Sequence, residues 1–196
     1  MNIGLYFGTF DPIHFGHINI ANFLIDNGVV ETVWFVVTPE NPEKTSHSLT
    51  NFMHRYEMVK IQVKDNNNLL ASDIELNLKR PNYTIDSLRY ISKTYPDNSF
   101  SLIIGEDNFV NFKKWRGYKE IMSYYKIYVY PRKTKLKTDM KLIVNNNIEM
   151  IEAPLIDLTS TNIRNNINDK DRAKEFISDR IYKYITTNNL YKLDNS

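Results

Sequence analysis

Short apolar runs alternate with amphipathic stretches along almost the whole chain, and this alternation is the feature that most limits its folds. The run at 33–37 reads VWFVV and is continuous, as is typical of a strand buried on both faces of a parallel sheet. Similar strand-like runs occupy residues 3–7, 69–71, 100–104, 126–130 and 148–151. Because helix-like segments separate these runs, we predict an α/β fold with helices on both faces of a mainly parallel sheet.

The helix-like segments carry signals for their ends. Residues 17–27 have helical character, and Gly28 is a typical C-terminal stop. Thr50 stands where it can cap a helix whose apolar stripe is Phe52, Tyr56, Val59 and Val63. Thr84 stands where it can cap another, whose inward residues are Ile85, Leu88, Ile91 and Tyr95. The C-terminal third is predicted to be helical at 161–167 and 177–187.

Composition excludes several classes of function. The chain has 196 residues, which suits one domain over residues 1–196. A net charge of +2 is too small to argue for a nucleic-acid or membrane partner. The absence of cysteine excludes disulfides and thiol chemistry. With no signal peptide and no membrane-length apolar run, we expect a cytoplasmic protein.

The first chemically unusual segment reads GTFDPIHFGH, between the first strand and the first helix. Gly8 allows a tight turn and the close approach of a phosphate, and the helix start offers unpaired N–H groups to an anion. His14 and His17 are three residues apart, so both imidazoles can face one way and donate hydrogen bonds to phosphate oxygens. Two other interpretations stay open: a capping histidine beside a packed one, and a metal pair whose nearest further ligand is Asp11.

GTFDPIHFGH matches the signature of the nucleotidylyltransferase superfamily and closely resembles its version in bacterial nicotinate-nucleotide adenylyltransferases. The resemblance implies that His14 and His17 are catalytic and that Gly8, Thr9 and Phe10 help them to bind ATP. It also implies that Thr9 and Phe10 contact the mononucleotide. Phosphopantetheine adenylyltransferases and cytidylyltransferases carry related motifs, so this motif alone does not choose between members.

Segment 158–164 reads LTSTNIR and resembles the family's ISSTxIR motif. By itself the pattern is typical of a helix cap followed by a surface arginine. The resemblance implies that Ser160, Thr161 and Arg164 bind the β- and γ-phosphates of ATP, and a guanidinium offers phosphate a planar pair of donors.

Residues 80–88 read RPNYTIDSL and resemble the family's R-x-PSYTxDTL segment, with Asn82 and Ser87 as polar departures. The resemblance implies that N–H groups around Tyr83 and Thr84 receive the nicotinate carboxylate. Without it, the segment is a plain capped helix.

Residues 103–115 resemble the family's IIGxDxxxxFxxW segment. The resemblance implies that Gly105 lies against the nucleotide and that Asp107 bonds a ribose hydroxyl or orients the metal-nucleotide. It also implies that Trp115 stacks on the pyridine ring, with Arg116 beside it in the mononucleotide site. Tryptophan alone is more often a core residue, although the basic neighbours of Trp115 are unusual for a core position.

Two basic residues complete the predicted set. Lys44 follows the second strand and can reach the phosphates as a point charge. The resemblance implies that it contributes to both the ATP site and the mononucleotide site. Glu43 stands where many family members have a histidine, whose role is lost or taken over by His47. Arg132 matches a basic family position near ATP, and its alternative is a solvated charge.

Two further matches look structural. The sequence HRYEM at 54–58 resembles the family's HRxEM helix, with Arg55 expected to be salt-bridged, and NNLY at 188–191 matches near the chain end.

The resemblance covers residues 3 to about 191 and implies a Rossmann-like fold with five or six strands and a helical C-terminal subregion. It implies direct attack of nicotinate mononucleotide on the α-phosphorus of ATP. Mg²⁺ is then carried on the nucleotide, with no metal bound by the protein itself. The oligomeric state is left open, and a homo-oligomer is possible. The rivals are phosphopantetheine adenylyltransferase and a nucleotide-binding sensor without turnover. The intact histidine pair argues against a sensor.

Overall fold

A computed structural model describes residues 1–39, 49–133, 145–155 and 158–191, and within these ranges six parallel strands form one sheet in the order β3-β2-β1-β4-β5-β6. The strands are β1 (Asn2–Gly8), β2 (Thr32–Val37), β3 (Leu69–Ser72), β4 (Ser99–Gly105), β5 (Lys126–Tyr130) and β6 (Ile148–Met150). All six strand predictions are confirmed, as is the parallel sheet.

Helices follow most of the strands and also form the C-terminal part of the described chain. They are α1 (Phe15–Asp26), α2 (Phe52–Val63), α3 (Thr84–Thr94), α4 (Glu106–Phe109), α5 (Tyr118–Tyr124), α6 (Ser160–Asn165), α7 (Lys170–Lys174) and α8 (Asp179–Thr187). Two short 3-10 turns lie at Ile74–Asn77 and Phe112–Lys114. No helix in the described ranges is long and apolar enough to cross a membrane.

The sheet is buried on both faces, as its continuous apolar strands predict. On one face, Tyr6 and Phe35 pack with residues of α1, α2 and α8. On the other, Leu5 and Val36 pack with residues of α3 and α5. Each fully buried aliphatic or aromatic side chain contributes about 1.5–3 kcal/mol of transfer free energy, so both helical layers are anchored by their apolar stripes.

Strand order places a crevice beside β1. The chain runs outward from β1 through β2 to β3, and then returns to pair β4 on the other side of β1. Because every strand is parallel, the loops after β1, β2, β4 and β5 all leave from the same edge. Ligands bind at such a reversal of strand order in open α/β sheets.

Helix starts were the weakest part of the prediction. Asn51, not Thr50, caps α2, and its side chain accepts a hydrogen bond from the N–H of Met53 at 2.9 Å. The main chain of Thr50 is held outside the helix, because its N–H donates to Asp11 and its carbonyl accepts from Arg55. The expected salt bridge of Arg55 was also wrong within the described residues, since its guanidinium bonds main-chain carbonyls.

The other starts moved by one or two residues. Helix α1 begins at Phe15, two residues earlier than predicted, with His14 at its N-cap. Thr84 is the first residue of α3 and not its cap, and no side chain caps that helix start. Tyr95 ends α3 and is 39% exposed, so it does not belong to the inward stripe. The C-terminal region contains α7 as an additional helix that periodicity did not indicate.

Candidate active site

A cavity of about 780 Å³ opens at the carboxyl edge of the sheet, between the loops after β1, β4 and β5 and the starts of α3 and α6. Its lining includes every predicted site residue that the structure describes: Gly8, Thr9, Phe10, His14, His17, Tyr83, Thr84, Gly105, Asp107, Trp115, Arg116, Arg132, Ser160, Thr161 and Arg164. Lys44, Glu43 and His47 lie outside the described residues. Five segments that are far apart in sequence therefore face one space.

The two histidines stack on each other at the start of α1. Their ring centroids are 3.7 Å apart, with 25° between the ring planes. The N–H of His14 donates to Nδ1 of His17 at 3.3 Å. Since Nδ1 of His17 is an acceptor, the neutral ring carries its hydrogen on Nε2 and can donate from there. Nδ1 of His17 therefore takes part in capping the helix, as one interpretation of the sequence expected, while Nε2 remains available to a ligand.

Both histidines are neutral at physiological pH. Burial lowers the pKa of His14 to about 3, helped by the charge of Arg132. Burial likewise lowers the pKa of His17, with smaller contributions from His14 and Arg132. Nδ1 of His14 is buried and has no hydrogen-bond partner among the described residues. An anion in this cavity would raise both pKa values and would accept the hydrogen bonds that the rings can offer.

The metal-pair interpretation finds no support in the described ranges. No group of three or more His, Cys, Asp or Glu side chains gathers there to hold an ion. The carboxylate of Asp11 accepts hydrogen bonds from the hydroxyl of Tyr191 at 2.6 Å and the N–H of Thr50 at 3.3 Å. It is therefore committed to these donors.

Phe10 gives Gly8 a packing role besides its conformational one. The backbone of Phe10 is left-handed, with φ of 46°, and its ring is only 2% exposed against Tyr6, Phe35 and His17. A Cβ on Gly8 would lie 2.9 Å from the Phe10 ring. A larger residue at position 8 would therefore displace the ring that supports His17.

The start of α6 meets the histidine loop directly. Ser160 Oγ donates to the carbonyl of Pro12 at 3.0 Å, and Arg164 Nη1 donates to the carbonyl of Asp11 at 2.7 Å. Arg164 Nη2 also donates to Thr161 Oγ1 at 3.1 Å. The hydroxyls of Ser160 and Thr161 thus make hydrogen bonds within the protein, and the bonds of Ser160 to Pro12 and of Arg164 to Asp11 join the two predicted phosphate-binding segments.

Arg132 is largely covered by its neighbours, so the solvated-charge alternative is wrong. Its side chain is 19% exposed, with Nε 3.8 Å from Asp107 Oδ2, and Nη1 donates to the carbonyl of Leu158 at 3.0 Å. A Cβ on Gly105 would lie 2.4 Å from Asp107 Oδ1 and 3.0 Å from Arg132 Cγ. Glycine at 105 thus makes room for this charged pair at the cavity wall.

The opposite end of the cavity is aromatic. Trp115 lies against Phe112, with ring centroids 5.5 Å apart, and its Nε1 is buried with no partner among the described residues. It is partly buried on one apolar cluster and also lines the cavity, so the core and ligand interpretations each hold in part. Arg116 lies 4.7 Å from the centre of the Tyr83 ring.

Sequence reasoning missed Glu75. Its side chain is 2% exposed, Oε1 accepts a hydrogen bond from Ser87 Oγ, and Oε2 has no partner among the described residues. Burial raises its pKa, although the nearby hydroxyls of Ser87 and Thr38 partly oppose the shift. Asn82 donates to the carbonyl of Glu75 at 2.9 Å. A single glutamate in a polar stretch gives no sequence signal of such burial.

A second missed feature is a tyrosine pair. Tyr6 donates to the hydroxyl of Tyr130 at 2.7 Å, and both line the cavity beside His17. The two residues are 124 positions apart, and each reads as an ordinary strand aromatic.

Comparisons with known proteins agree with this geometry. The sequence profile described as "Cytidylyltransferase-like" matches residues 5–166. A protein of Flavobacterium psychrophilum named "Probable nicotinate-nucleotide adenylyltransferase" is 42% identical over 192 residues, covering 98% of this chain and 100% of the relative. One of Bacteroides thetaiotaomicron with the same name is 30% identical over 94% of this chain and 91% of the relative. Among solved structures, the Plasmodium falciparum nicotinic acid mononucleotide adenylyltransferase complexed with NaAD matches in fold, with a TM-score of 0.78, 21% identity and 97% coverage of each chain.

Proposed function

This chain belongs to the nicotinate-nucleotide adenylyltransferase family, and we propose how its residues divide the transfer of the adenylyl group of ATP to nicotinate mononucleotide. The reaction gives nicotinate adenine dinucleotide and pyrophosphate, and it is a step of NAD synthesis. The observation that carries the proposal is that the histidine loop and the start of α6 are hydrogen-bonded to each other at one cavity.

In this proposal the triphosphate of ATP lies along the wall formed by α1, β5 and α6. Nε2 of His17 donates to the α-phosphate, where negative charge builds as the acceptor attacks, and His14 assists from the stacked ring. Arg132, Arg164 and the start of α6 hold the β- and γ-phosphates, together with Lys44. Gly105 and Asp107 lie against the nucleoside.

The mononucleotide occupies the aromatic end. The uncapped N–H groups at the start of α3, around Tyr83 and Thr84, receive the nicotinate carboxylate, because a helix start favours an anion. Trp115 stacks on the pyridine ring, whose electron-poor face suits an electron-rich indole. Arg116 and Asp107 contact the remainder of the nucleotide, and Thr9 and Phe10 face both substrates.

The chemistry is in-line displacement without a covalent enzyme intermediate. The 5′-phosphate of the mononucleotide attacks the α-phosphorus, the bond to the β-phosphate oxygen breaks, and pyrophosphate leaves. Positioning and charge stabilisation are then the protein's whole contribution. Mg²⁺ bound to the ATP phosphates would neutralise part of the leaving group's charge. Mg²⁺ is usually bound through substrate phosphates and waters with one or two carboxylates, and not by an all-protein cage.

We place the reaction in the cytoplasm, in a single domain, with ATP and nicotinate mononucleotide as its small-molecule partners. The Plasmodium falciparum enzyme complexed with NaAD or with APC supports the view that one site in this fold holds both halves of the product.

Pyrophosphate release tests the proposal. The purified chain is incubated with ATP and Mg²⁺ alone, or with nicotinate mononucleotide, nicotinamide mononucleotide or phosphopantetheine. We expect release with nicotinate mononucleotide, and nicotinate adenine dinucleotide as the co-product by mass spectrometry. Release with phosphopantetheine alone would identify the rival enzyme, and binding of ATP without release for any acceptor would identify a sensor.

A further inference from the structure

Arg55 of α2 is a buried guanidinium that bonds the main chain. Its side chain is among the largest fully buried ones, and the residue is 1% exposed. Its three nitrogens donate to four carbonyls: Nε to Thr50 at 2.8 Å, Nη1 to Thr9 at 2.7 Å and Thr38 at 2.8 Å, and Nη2 to Pro39 at 2.8 Å. The family match at 54–58 thus places a planar fork of donors behind the active-site loops.

The four carbonyls belong to two loops, the one between β1 and α1 and the one between β2 and α2. Thr9 follows β1 in the loop that carries the two histidines, Thr38 and Pro39 follow β2, and Thr50 precedes α2. Thr9 and Thr38 line the cavity, as does Leu49 beside Thr50. Pro39 and Thr50 also flank segment 40–48, which contains Lys44. A single side chain therefore sets the relative positions of the histidine loop, of Pro39 after β2 and of Thr50 before α2.

A second anchor holds the same loop from the other side. The carboxylate of Asp11 is 1% exposed and accepts the hydroxyl of Tyr191 at 2.6 Å, in the NNLY match near the chain end. Asp11 also accepts the N–H of Thr50, whose carbonyl bonds Arg55. The buried side chains of Arg55 and Asp11 thus both bond the main chain of Thr50. Arg55 also holds the histidine loop at Thr9, and Tyr191 holds it at Asp11.

Stability alone is a poor reason for this arrangement. Burial lowers the pKa of Arg55, which reflects the cost of desolvating its charge, and the nearby charge of Asp11 only partly offsets it. Replacing buried ions by apolar residues of similar volume is often neutral or stabilising. What a guanidinium provides, and an apolar side chain does not, is a fixed geometry for four acceptors at once.

We propose that Arg55, together with the Asp11–Tyr191 hydrogen bond, is a positioning device for adenylyl transfer that fixes the histidine loop against Thr38 and Pro39 after β2 and Thr50 before α2, around the cavity. The inference rests on the proposed function, because it concerns the placement of His14 and His17 against the triphosphate. Neither Arg55 nor Tyr191 touches the reacting atoms. A misplacement of about 1 Å in a catalytic group can cost about a hundredfold in rate, so the device should act on kcat.

The first test is Arg55→Lys, which keeps the charge but replaces the fork with one ammonium that cannot reach all four carbonyls. We expect kcat to fall about ten- to a hundredfold, with KM for ATP changed less than about threefold. The control is Arg180→Lys, which alters an exposed arginine paired with Asp65 just beyond the other end of α2. This control should keep kcat within about twofold of the wild type, because exposed ion pairs contribute little.

The second test is Tyr191→Phe, which removes one hydroxyl and leaves the ring. We expect kcat to fall about three- to tenfold, because the histidine loop loses one of its anchors and shifts by less than it does in Arg55→Lys, with a circular-dichroism spectrum unchanged from the wild type. Arg55→Ala supplies a third readout. Millimolar guanidinium should restore part of the kcat that this variant has lost, and it should not raise the kcat of Arg180→Ala. All assays are run at least about 15 °C below the measured Tm of each variant.

The outcomes separate this inference from the proposed function. If the wild type releases no pyrophosphate, the function is wrong, whatever the variants do. If the wild type is active and folded Arg55→Lys keeps a kcat within twofold of it, the inference is overturned. A rise in KM with unchanged kcat would overturn it as well. Should Arg55→Lys not fold, a folded Tyr191→Phe with wild-type kcat would still refute the positioning device.

Discussion

The role of His17 predicts a sharp difference between two substitutions that are close in size. Nδ1 of His17 accepts the N–H of His14, so only Nε2 is left for the α-phosphate. His17→Asn can place its amide oxygen near the Nδ1 position and preserve that bond, but it cannot reach as far as Nε2. His17→Gln can place an amide N–H near the Nε2 position.

The magnitude follows from losing one preorganised donor in a buried site. The cost of such a loss is about 2.7–4 kcal/mol, which corresponds to a 10²–10³-fold fall in kcat. We therefore expect His17→Asn, and likewise His17→Ala, to lose about 10²–10³-fold in kcat while KM for ATP changes little, and His17→Gln to recover about tenfold or more of that loss. Histidine packing against Phe10 and Tyr6 is lost in all three variants, so packing alone cannot separate Asn from Gln.

Pyrophosphate release under saturating ATP and nicotinate mononucleotide gives kcat, and thermal unfolding by circular dichroism checks that the variants are folded. If His17→Asn keeps a kcat within threefold of the wild type, His17 is not the α-phosphate donor. Equal losses in the Asn and Gln variants would show that the position matters for packing and not for donation.

Three further predictions concern pH and the two ends of the cavity. His14 has a folded-state pKa lowered to about 3, so the unfolded chain binds a proton below pH 6.5 that the folded chain does not, and stability is lost as pH falls. At pH 5 this loss is about 2 kcal/mol, and urea unfolding of His14→Gln, which has no such proton, should show a correspondingly flatter dependence between pH 7 and 5. Burial raises the pKa of Glu75, so its ionised form is disfavoured in the folded chain. The free energy of unfolding therefore falls as pH rises above the pKa that Glu75 has in the unfolded chain. Glu75→Gln should have a higher Tm than the wild type at pH 8, and this difference should disappear towards pH 4. Equal Tm differences at the two pH values would contradict this. Trp115→Leu should raise KM for nicotinate mononucleotide roughly three- to tenfold with little change for ATP, and Trp115→Phe should raise it less; a change in KM for ATP alone would exclude the stacking role.

The sheet could be predicted because each strand carries its own signal. A run such as 33–37 is apolar at every position since both faces of the strand are covered, and this holds whatever the neighbouring strand is. The loops after β1 and β4 could be placed at one edge because parallel strands bring their carboxyl ends together, whereas residues 83–84 and 160–164 were assigned to the site only by the resemblance to the family.

The helix caps and buried polar groups could not be predicted, because they depend on distant partners. Thr50 and Asn51 have similar local capping propensities, and Asp11 and Arg55 decide between them by bonding the main chain of Thr50. The buried Glu75 is hydrogen-bonded to Asn82 and Ser87, which are 7 and 12 residues further along the chain. A salt bridge was the simplest expectation for Arg55, and its actual partners are carbonyls of two loops that come together only in the folded chain.

The central claim is that one triphosphate bridges the histidine loop and the start of α6. A crystal structure of the chain with a non-hydrolysable ATP analogue tests it most directly. We predict an α-phosphate oxygen about 3 Å from Nε2 of His17, with the terminal phosphates beside Arg132 and Arg164 in the same cavity. A triphosphate bound outside that cavity, or one that contacts α6 while His17 stays more than about 6 Å from every phosphate, would contradict the account.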